Sequence, residues 1–295
     1  LLAVRHLVLL LLPDRVAGVV GRMSAEIFGY RNAATLDYEV KIIAAQTRSM
    51  ARRYGFSPSE IDFFSKLFRM DAIDVIRELR KAGLDSIPGG GGEILVQRVR
   101  DIVAPKKAGA DRWLEIMELA HNEGMKTSVT MMYGLGETLA ERLEHLQRVK
   151  EVQARTGGVT AFICWPLQPE NTPTMSHQHK TGATEYLRTV AFARVVLDNV
   201  PNLQSSWVTM GLKVGQTALH FGCNDFGSLM MEENVVSAAN TTNRTSTDEM
   251  ERLIRDAGFT PARRKQDYPL LDPLPPVRSP LQPSRTTLAG AGTAI

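Results

Sequence analysis

Gly83-Leu84-Asp85-Ser86-Ile87-Pro88-Gly89-Gly90-Gly91-Gly92-Glu93-Ile94-Leu95 joins a short apolar run to four consecutive glycines. Leu84 to Ile87 reads as a buried strand that Pro88 stops. The glycines then strip every side chain from one loop before a helix begins at Glu93. A backbone so bare is expected where something large lies close against it, either a ligand facing freed N–H groups or a tight turn of the chain itself. The run lacks the Lys-Ser/Thr of a phosphate-binding loop and the spacing of a dinucleotide fingerprint, so both readings stand.

Outward from this loop, strand-like and helix-like segments alternate, which favours a parallel sheet joined by crossovers. Upstream, Asp37 to Arg53 has helical periodicity, and Ser57-Pro58-Ser59-Glu60 has the chemistry of a capped helix start. Asp71 to Ala82 is amphipathic, with Ile73, Val75, Ile76 and Leu79 on one side and Gly83 ending it. Downstream, the pattern predicts helices over Glu93 to Val103, Asp111 to Glu123, Thr138 to Thr156, Glu185 to Asn199 and Asp248 to Ala257. Strands are expected over Thr127 to Met132, Val159 to Trp165 and Leu203 to Val208. From Tyr268 the composition turns to Pro, Ser, Thr and Gly, which predicts a disordered tail.

At 295 residues and 43% hydrophobic composition the chain can bury a sizeable core, and one α/β barrel would use most of it. A formal net charge of +3 gives no basis for a nucleic-acid partner. Its basic clusters, Arg52-Arg53, Lys106-Lys107 and Arg263-Arg264-Lys265, are short and read as solvated faces. Cys164 and Cys223 are the only cysteines, too few for a disulfide framework, and they suit a reducing, cytoplasmic setting. His177-x-His179 has no third ligand nearby, so no metal site is expected there. His121 and His145 fall on expected helices and read as structural. Leu7 to Leu12 is apolar but shorter than the roughly 18 residues a bilayer span needs, so no membrane partner is expected. The chain opens on Leu, with Met23 its first methionine. Residues 1–35 therefore read as a partial or frame-displaced leader, with a genuine hydrophobic segment as the alternative.

Several further runs repeat the logic of strand, turn and helix start. They are Thr130-Met131-Met132-Tyr133-Gly134-Leu135-Gly136-Glu137-Thr138, then Ala161-Phe162-Ile163-Cys164-Trp165-Pro166-Leu167-Gln168-Pro169. Gln204-Ser205-Ser206-Trp207-Val208-Thr209-Met210-Gly211 and Phe221-Gly222-Cys223-Asn224-Asp225-Phe226-Gly227-Ser228 follow. In this order and at these spacings they resemble the radical S-adenosylmethionine (SAM) enzymes of the futalosine pathway to menaquinone. The Trp165 and Trp207 runs favour the branch that forms cyclic dehypoxanthine futalosine over the aminofutalosine and deazaflavin-cofactor synthases. The resemblance covers residues 36–268, leaving 269–295 as the tail.

That resemblance implies an α/β fold, an incomplete radical SAM-type (β/α) barrel lacking its first strand or strands, with chemistry at the carboxyl ends of the strands. It implies SAM and a 4Fe-4S cluster as cofactors, dehypoxanthine futalosine as substrate and an external one-electron reductant. The family reaction is one-electron cleavage of SAM, hydrogen abstraction from the substrate ribose and addition of the carbon radical to the benzoate ring. Such enzymes hold the cluster on a Cys-x3-Cys-x2-Cys loop. Two distant cysteines cannot supply three thiolates, so the chain is expected to be inactive alone.

Carried over residue by residue, the cofactor would meet Gly89, Gly90, Gly91, Gly92 and Glu93, and then Met132, Tyr133, Gly134 and Glu137. Glu93 reads either as a hydroxyl acceptor or as a carboxylate favoured by a helix N-terminus. Glu137 and Arg142 read as polar contacts at the mouth or as a surface ion pair. Trp165, Gln168, Ser206, Trp207 and Asn224 would line the substrate pocket, although tryptophans equally build cores. Asp225, Glu232 and Glu233 would accept the final proton, or form a solvated acidic turn. The alternatives are a related radical SAM synthase and a substrate-binding barrel without catalysis. An incomplete barrel also leaves strand edges unpaired, which predicts aggregation.

Overall fold

A computed structural model describes residues 56–271 apart from 82, 171, 173–174 and 230–242. The expected helix at Asp37 to Arg53, the leader, Glu232, Glu233 and the tail beyond residue 271 lie outside the described residues.

Helix α1 (Pro58–Phe68) starts with a capping box. The Ser57 N–H donates to the Glu60 carboxylate at 2.8 Å, the Ser57 hydroxyl accepts from the Glu60 N–H, and Pro58 sits in the first turn. Helix α2 (Ala72–Lys81) buries Ala72, Val75, Ile76 and Leu79. Ile73, expected on that face, is only half-buried, because the stripe turns toward Ala72. Strand β1 is just Ser86–Ile87, followed by the glycine loop. The helix expected from Glu93 starts later, as α3 (Gln97–Val103). Glu93 itself has φ +33°, outside helical geometry, and its carbonyl accepts the Met132 N–H at 3.0 Å.

Helix α4 (Ala110–Asn122) leads to β2 (Lys126–Tyr133), and α5 (Leu139–Thr156) leads to β3 (Val159–Pro166). Thr138 and Glu141 form the capping box of α5, and Gly157 closes it in the left-handed region at φ +60°. Helix α6 (Ala183–Val196) then leads to β4 (Asn202–Gln204). The strand expected to continue to Val208 stops at Gln204, and Trp207–Met210 forms the short helix α7. Polar pairing explains the break. The Ser206 N–H donates to the Tyr186 hydroxyl at 2.8 Å and the Ser206 and Thr209 hydroxyls are 2.7 Å apart, a local bonding pattern that competes with a sheet ladder. Helix α8 (Leu212–Ala218), which the sequence reading did not anticipate, a 3-10 turn at Leu219–Phe221 and α9 (Thr247–Asp256) follow among the described residues.

All the strand pairings between β1 and β4 are parallel, and the spatial order is β1-β2-β3-β4. An order that follows the sequence without reversal is that of a barrel wall; a doubly wound sheet would reverse at a switch point. Asp225 continues the wall through a parallel bridge to Gln204. The described residues are thus an α/β partial barrel.

The two faces of the wall differ. Val129, Met131 and Tyr133 of β2 and Phe162 and Cys164 of β3 are buried with Ile116, Met117, Leu146 and Val149 of the covering helices. Each large apolar side chain so buried contributes roughly 1.5–3 kcal/mol. On the opposite face Thr130, Met132, Ile163, Trp165 and Gln204 are only half-buried. This second face is the concave one.

Candidate functional site

Strand register sets the rows of the concave face. Thr130, Ile163, Gln204 and Asp225 stand opposite one another, and one step nearer the carboxyl ends Met132 stands beside Trp165. Alternation along β2 sends the neighbouring Tyr133 to the helix side, where it is fully buried. Burial raises its hydroxyl above the ordinary range, so it stays protonated. Tyr133 thus offers the mouth its backbone, and its carbonyl accepts the Leu167 N–H at 2.8 Å.

The glycine loop is closed against the protein itself. A Cβ on Gly89 would lie 2.7 Å from the Thr130 nitrogen and the Val129 Cα, and one on Gly92 would lie 2.9 Å from the Thr130 carbonyl oxygen. Strand β2 is therefore the large neighbour that Gly89 and Gly92 require. Gly91 has φ +76° and faces Ser59, whereas a Cβ on Gly90 would meet nothing nearer than 3.9 Å. Arg100, 1% exposed, bolts the loop in place. Its guanidinium donates to the Gly91 and Gly92 carbonyls at 3.0 and 2.8 Å and to the Ala108 carbonyl at 3.0 Å. Trp113 Nε1 donates to the Gly90 carbonyl at 3.3 Å. Glu93 pairs with Lys107 at 2.6 Å and lies 3.5 Å from Arg100.

Glu137 and Arg142 form an interior pair, not the surface ion pair that was one of the two expectations. The Glu137 side chain is 0% exposed. Its carboxylate accepts the Gly134 N–H at 2.9 Å, the Leu135 N–H at 2.7 Å and Arg142 Nε at 2.7 Å. The Arg142 guanidinium carbon lies 4.5 Å over the Tyr133 ring.

The other candidates scatter. Gln168 is buried beside the β3 end, where its amide donates to the Pro166 carbonyl at 3.2 Å. Ser206 is buried under Tyr186. Trp207, 3% exposed, packs with Phe226, Met250 and Leu253 in a separate core cluster. Asn224 lies at the opposite end of the wall, where its side chain accepts the Leu203 N–H at 2.8 Å and donates to the Pro201 carbonyl at 3.1 Å. Asp225 Oδ2 accepts from Arg264 at 2.7 Å and from the Tyr268 hydroxyl at 2.5 Å, and Oδ1 accepts the Gly227 N–H.

Sequence reading missed Arg100, Arg264 and Tyr268. Arg264 is largely buried, correcting its assignment to a solvated face. Tyr268 to Leu271 belong to the fold, with Arg264 and Leu270 in an antiparallel bridge. A lone tyrosine followed by proline carries no local signal of this tertiary pairing.

Cys164 and Cys223 are 2% and 5% exposed. Burial pushes the Cys164 thiol up to about 12 and raises that of Cys223 as well. Neutral, buried thiols are not cluster ligands, so a 4Fe-4S centre does not fit the residues of this chain. At the turn beside Met132 the inward N–H groups of Gly134 and Leu135 already hold Glu137, which leaves them no room for an external anion. No described helix is long and apolar enough to cross a membrane.

Family comparisons agree with the fold. A model of the radical SAM superfamily matches residues 26–149, and one of the CofH/MqnC C-terminal region matches residues 156–275. The chain is 44% identical over 243 residues to a cyclic dehypoxanthine futalosine synthase of Halalkalibacterium halodurans, covering 80% of this chain and 64% of that protein. It is 47% identical over 218 residues to the synthase of Streptomyces coelicolor, covering 73% and 54%. The chain thus spans less than two thirds of either synthase. A 5-amino-6-(D-ribitylamino)uracil--L-tyrosine 4-hydroxyphenyl transferase of Archaeoglobus fulgidus is 35% identical over 245 residues, 81% of this chain and 71% of that protein. The X-ray structure of the FeFe-hydrogenase maturase HydG from Carboxydothermus hydrogenoformans superposes with a TM-score of 0.51 at 15% identity, over 66% of this chain and 47% of that one, a likeness of fold. With parallel wall, motif runs and relatives in accord, the chain belongs to the radical SAM superfamily of enzymes, in the group that carries the CofH/MqnC C-terminal region.

Proposed function

We propose that this chain carries the substrate-facing part of a cytoplasmic enzyme that cyclises dehypoxanthine futalosine, supplied with electrons by an external one-electron reductant. The single observation behind this choice is the 44–47% identity to the two cyclic dehypoxanthine futalosine synthases, against 35% to the transferase. SAM, when bound with a reduced cluster, supplies a carbon-centred oxidant in this family. With no fitting cluster ligand here, no step is assigned through that centre.

What the chain contributes is position and shelter. Trp165, half-buried beside Met132, offers an aromatic face on which the substrate's benzoate ring stacks. The Gly134 turn flanks that row and brings backbone, without a side chain, up to the adenosyl group, while Gly89 and Gly92 are taken up by packing against β2 and leave only Gly90 of that loop open. Glu93 stays at the loop's edge as a hydroxyl acceptor shared with Lys107. Gln168, Ser206, Trp207 and Asn224 support the wall from behind or beneath. Asp225 is a carboxylate on the concave rows, but its charge is met by Arg264 and its Oδ2 also accepts from Tyr268, which makes it a poor proton acceptor.

Calorimetric titration of the chain with dehypoxanthine futalosine and, separately, with 5-amino-6-(D-ribitylamino)uracil tests the assignment. Binding of the first at least tenfold tighter than the second supports it. The reverse preference assigns the chain to the transferase branch.

A further inference from the structure

We propose that Arg142 is a positioning residue for the turn Gly134–Glu137, acting through Glu137, so that the affinity of the mouth for an uncharged nucleoside depends on a guanidinium that touches no ligand. The inference rests on the functional reading above, which puts the adenosyl group at this turn.

The turn has φ +87° at Gly134 and +89° at Gly136, which aims the N–H groups of Gly134 and Leu135 inward at one point. Such converging donors are an anion-binding concavity. Here the anion is the chain's own: Glu137, with no side-chain exposure, accepts both N–H groups. An external phosphate or carboxylate is thereby excluded from the concavity. The turn's outer side stays neutral. On that side Gly136 is exposed, and a Cβ there would meet only Gln178, at 3.8 Å.

A buried carboxylate needs a partner, or desolvation expels it. Arg142 supplies this partner from the first turns of α5 and is itself fixed from several directions. Its Nε donates to Glu137 at 2.7 Å, it pairs with Glu185 on α6 at 2.9 Å, it lies 3.5 Å from the Thr189 hydroxyl, and it stacks on Tyr133 at 4.5 Å. The chain of contacts runs from α6 through Arg142 and Glu137 to the turn. Planar stacking and forked donation belong to arginine, so lysine keeps the charge and loses the geometry.

Calorimetry with 5′-deoxyadenosine, adenosine 5′-monophosphate and dehypoxanthine futalosine tests this, together with amide hydrogen exchange. The native chain is expected to bind 5′-deoxyadenosine, with the monophosphate no tighter. Arg142→Met should weaken 5′-deoxyadenosine at least tenfold while dehypoxanthine futalosine moves less than threefold. Arg142→Lys should recover part of the loss. Exchange at Gly134 and Leu135 should rise at least tenfold in Arg142→Met, with the α5 amides unchanged. Glu185→Gln, altering a half-exposed anchor, should give a smaller shift in the same direction. Unchanged nucleoside affinity and exchange in Arg142→Met would overturn the proposal, as would equal loss of both ligands. Should the native chain bind dehypoxanthine futalosine but not 5′-deoxyadenosine, this inference fails and the substrate assignment survives; binding neither removes both.

Discussion

Arg264 reaches Asp225 at 2.7 Å across a sequence separation of 39 and, from the same place, covers the Tyr268 ring at 4.2 Å. This pairing ties the hairpin of residues 263–271 to the last described position of the barrel wall. Both side chains are largely buried, so removing one charge strands the other. Arg264→Met is expected to destabilise the chain by about 3 kcal/mol, and Asp225→Asn, which keeps an acceptor, by less. Urea denaturation of the two variants measures the difference. Equal and negligible effects would show that the hairpin is not latched.

The glycine loop gives a sharper contrast. Gly89→Ala places a Cβ 2.7 Å from strand backbone that cannot yield, whereas at Gly90 a Cβ meets only the Ser57 Cβ, at an unstrained 3.9 Å. The first should cost about 3 kcal/mol and the second under about 1 kcal/mol, by thermal or urea unfolding. Similar costs at both positions would mean that β2 is not what the loop packs against.

Acid should destabilise the fold through two histidines. His121 lies between the hydroxyls of Thr156 and Thr127 at 2.7 Å each, and burial lowers it to about 4. His145 accepts the Leu95 N–H at 2.9 Å. Burial, and then Arg100 and Arg148, lower it to about 3. Both are neutral when folded and take up protons near pH 6.5 when unfolded, so the unfolded chain binds more protons below that pH. Stability is complete above about pH 6.5 and falls as pH drops toward 4 and 3, by about 1.5 kcal/mol per histidine between pH 6.5 and 5. His121→Asn should flatten part of that slope; a wild-type urea midpoint that does not fall between pH 7 and 5 would contradict the assignment.

Local patterns in the sequence were enough to place the repeating strand and helix units, because capping boxes at Ser57 and Thr138 and alternation along β2 are encoded within a few residues. The site was less legible. Tyr133 directly follows Met132 in one run, yet strand alternation points them to opposite faces. Glu137 looks like a solvent-facing acid until the turn folds its carboxylate inward. Trp165 and Trp207 are alike as letters, but one stands on the concave face and the other closes a core. Arg100 and Arg264 are invisible to local reading because their partners are carbonyls and a carboxylate brought close only by the fold.

The two tryptophans carry the test of the functional claim. With dehypoxanthine futalosine as titrant, Trp165→Ala should bind about tenfold more weakly, about 1.4 kcal/mol, at nearly unchanged stability. Trp207→Ala should instead lose about 3 kcal/mol or more of folding stability as a cavity opens beside Phe226 and Met250. The most direct measurement is therefore the calorimetric Kd of dehypoxanthine futalosine for the native chain and for Trp165→Ala. Binding by the native chain that weakens about tenfold in the variant is the expected result; no binding by the native chain, or equal binding by both, would contradict the placement of the substrate on this face.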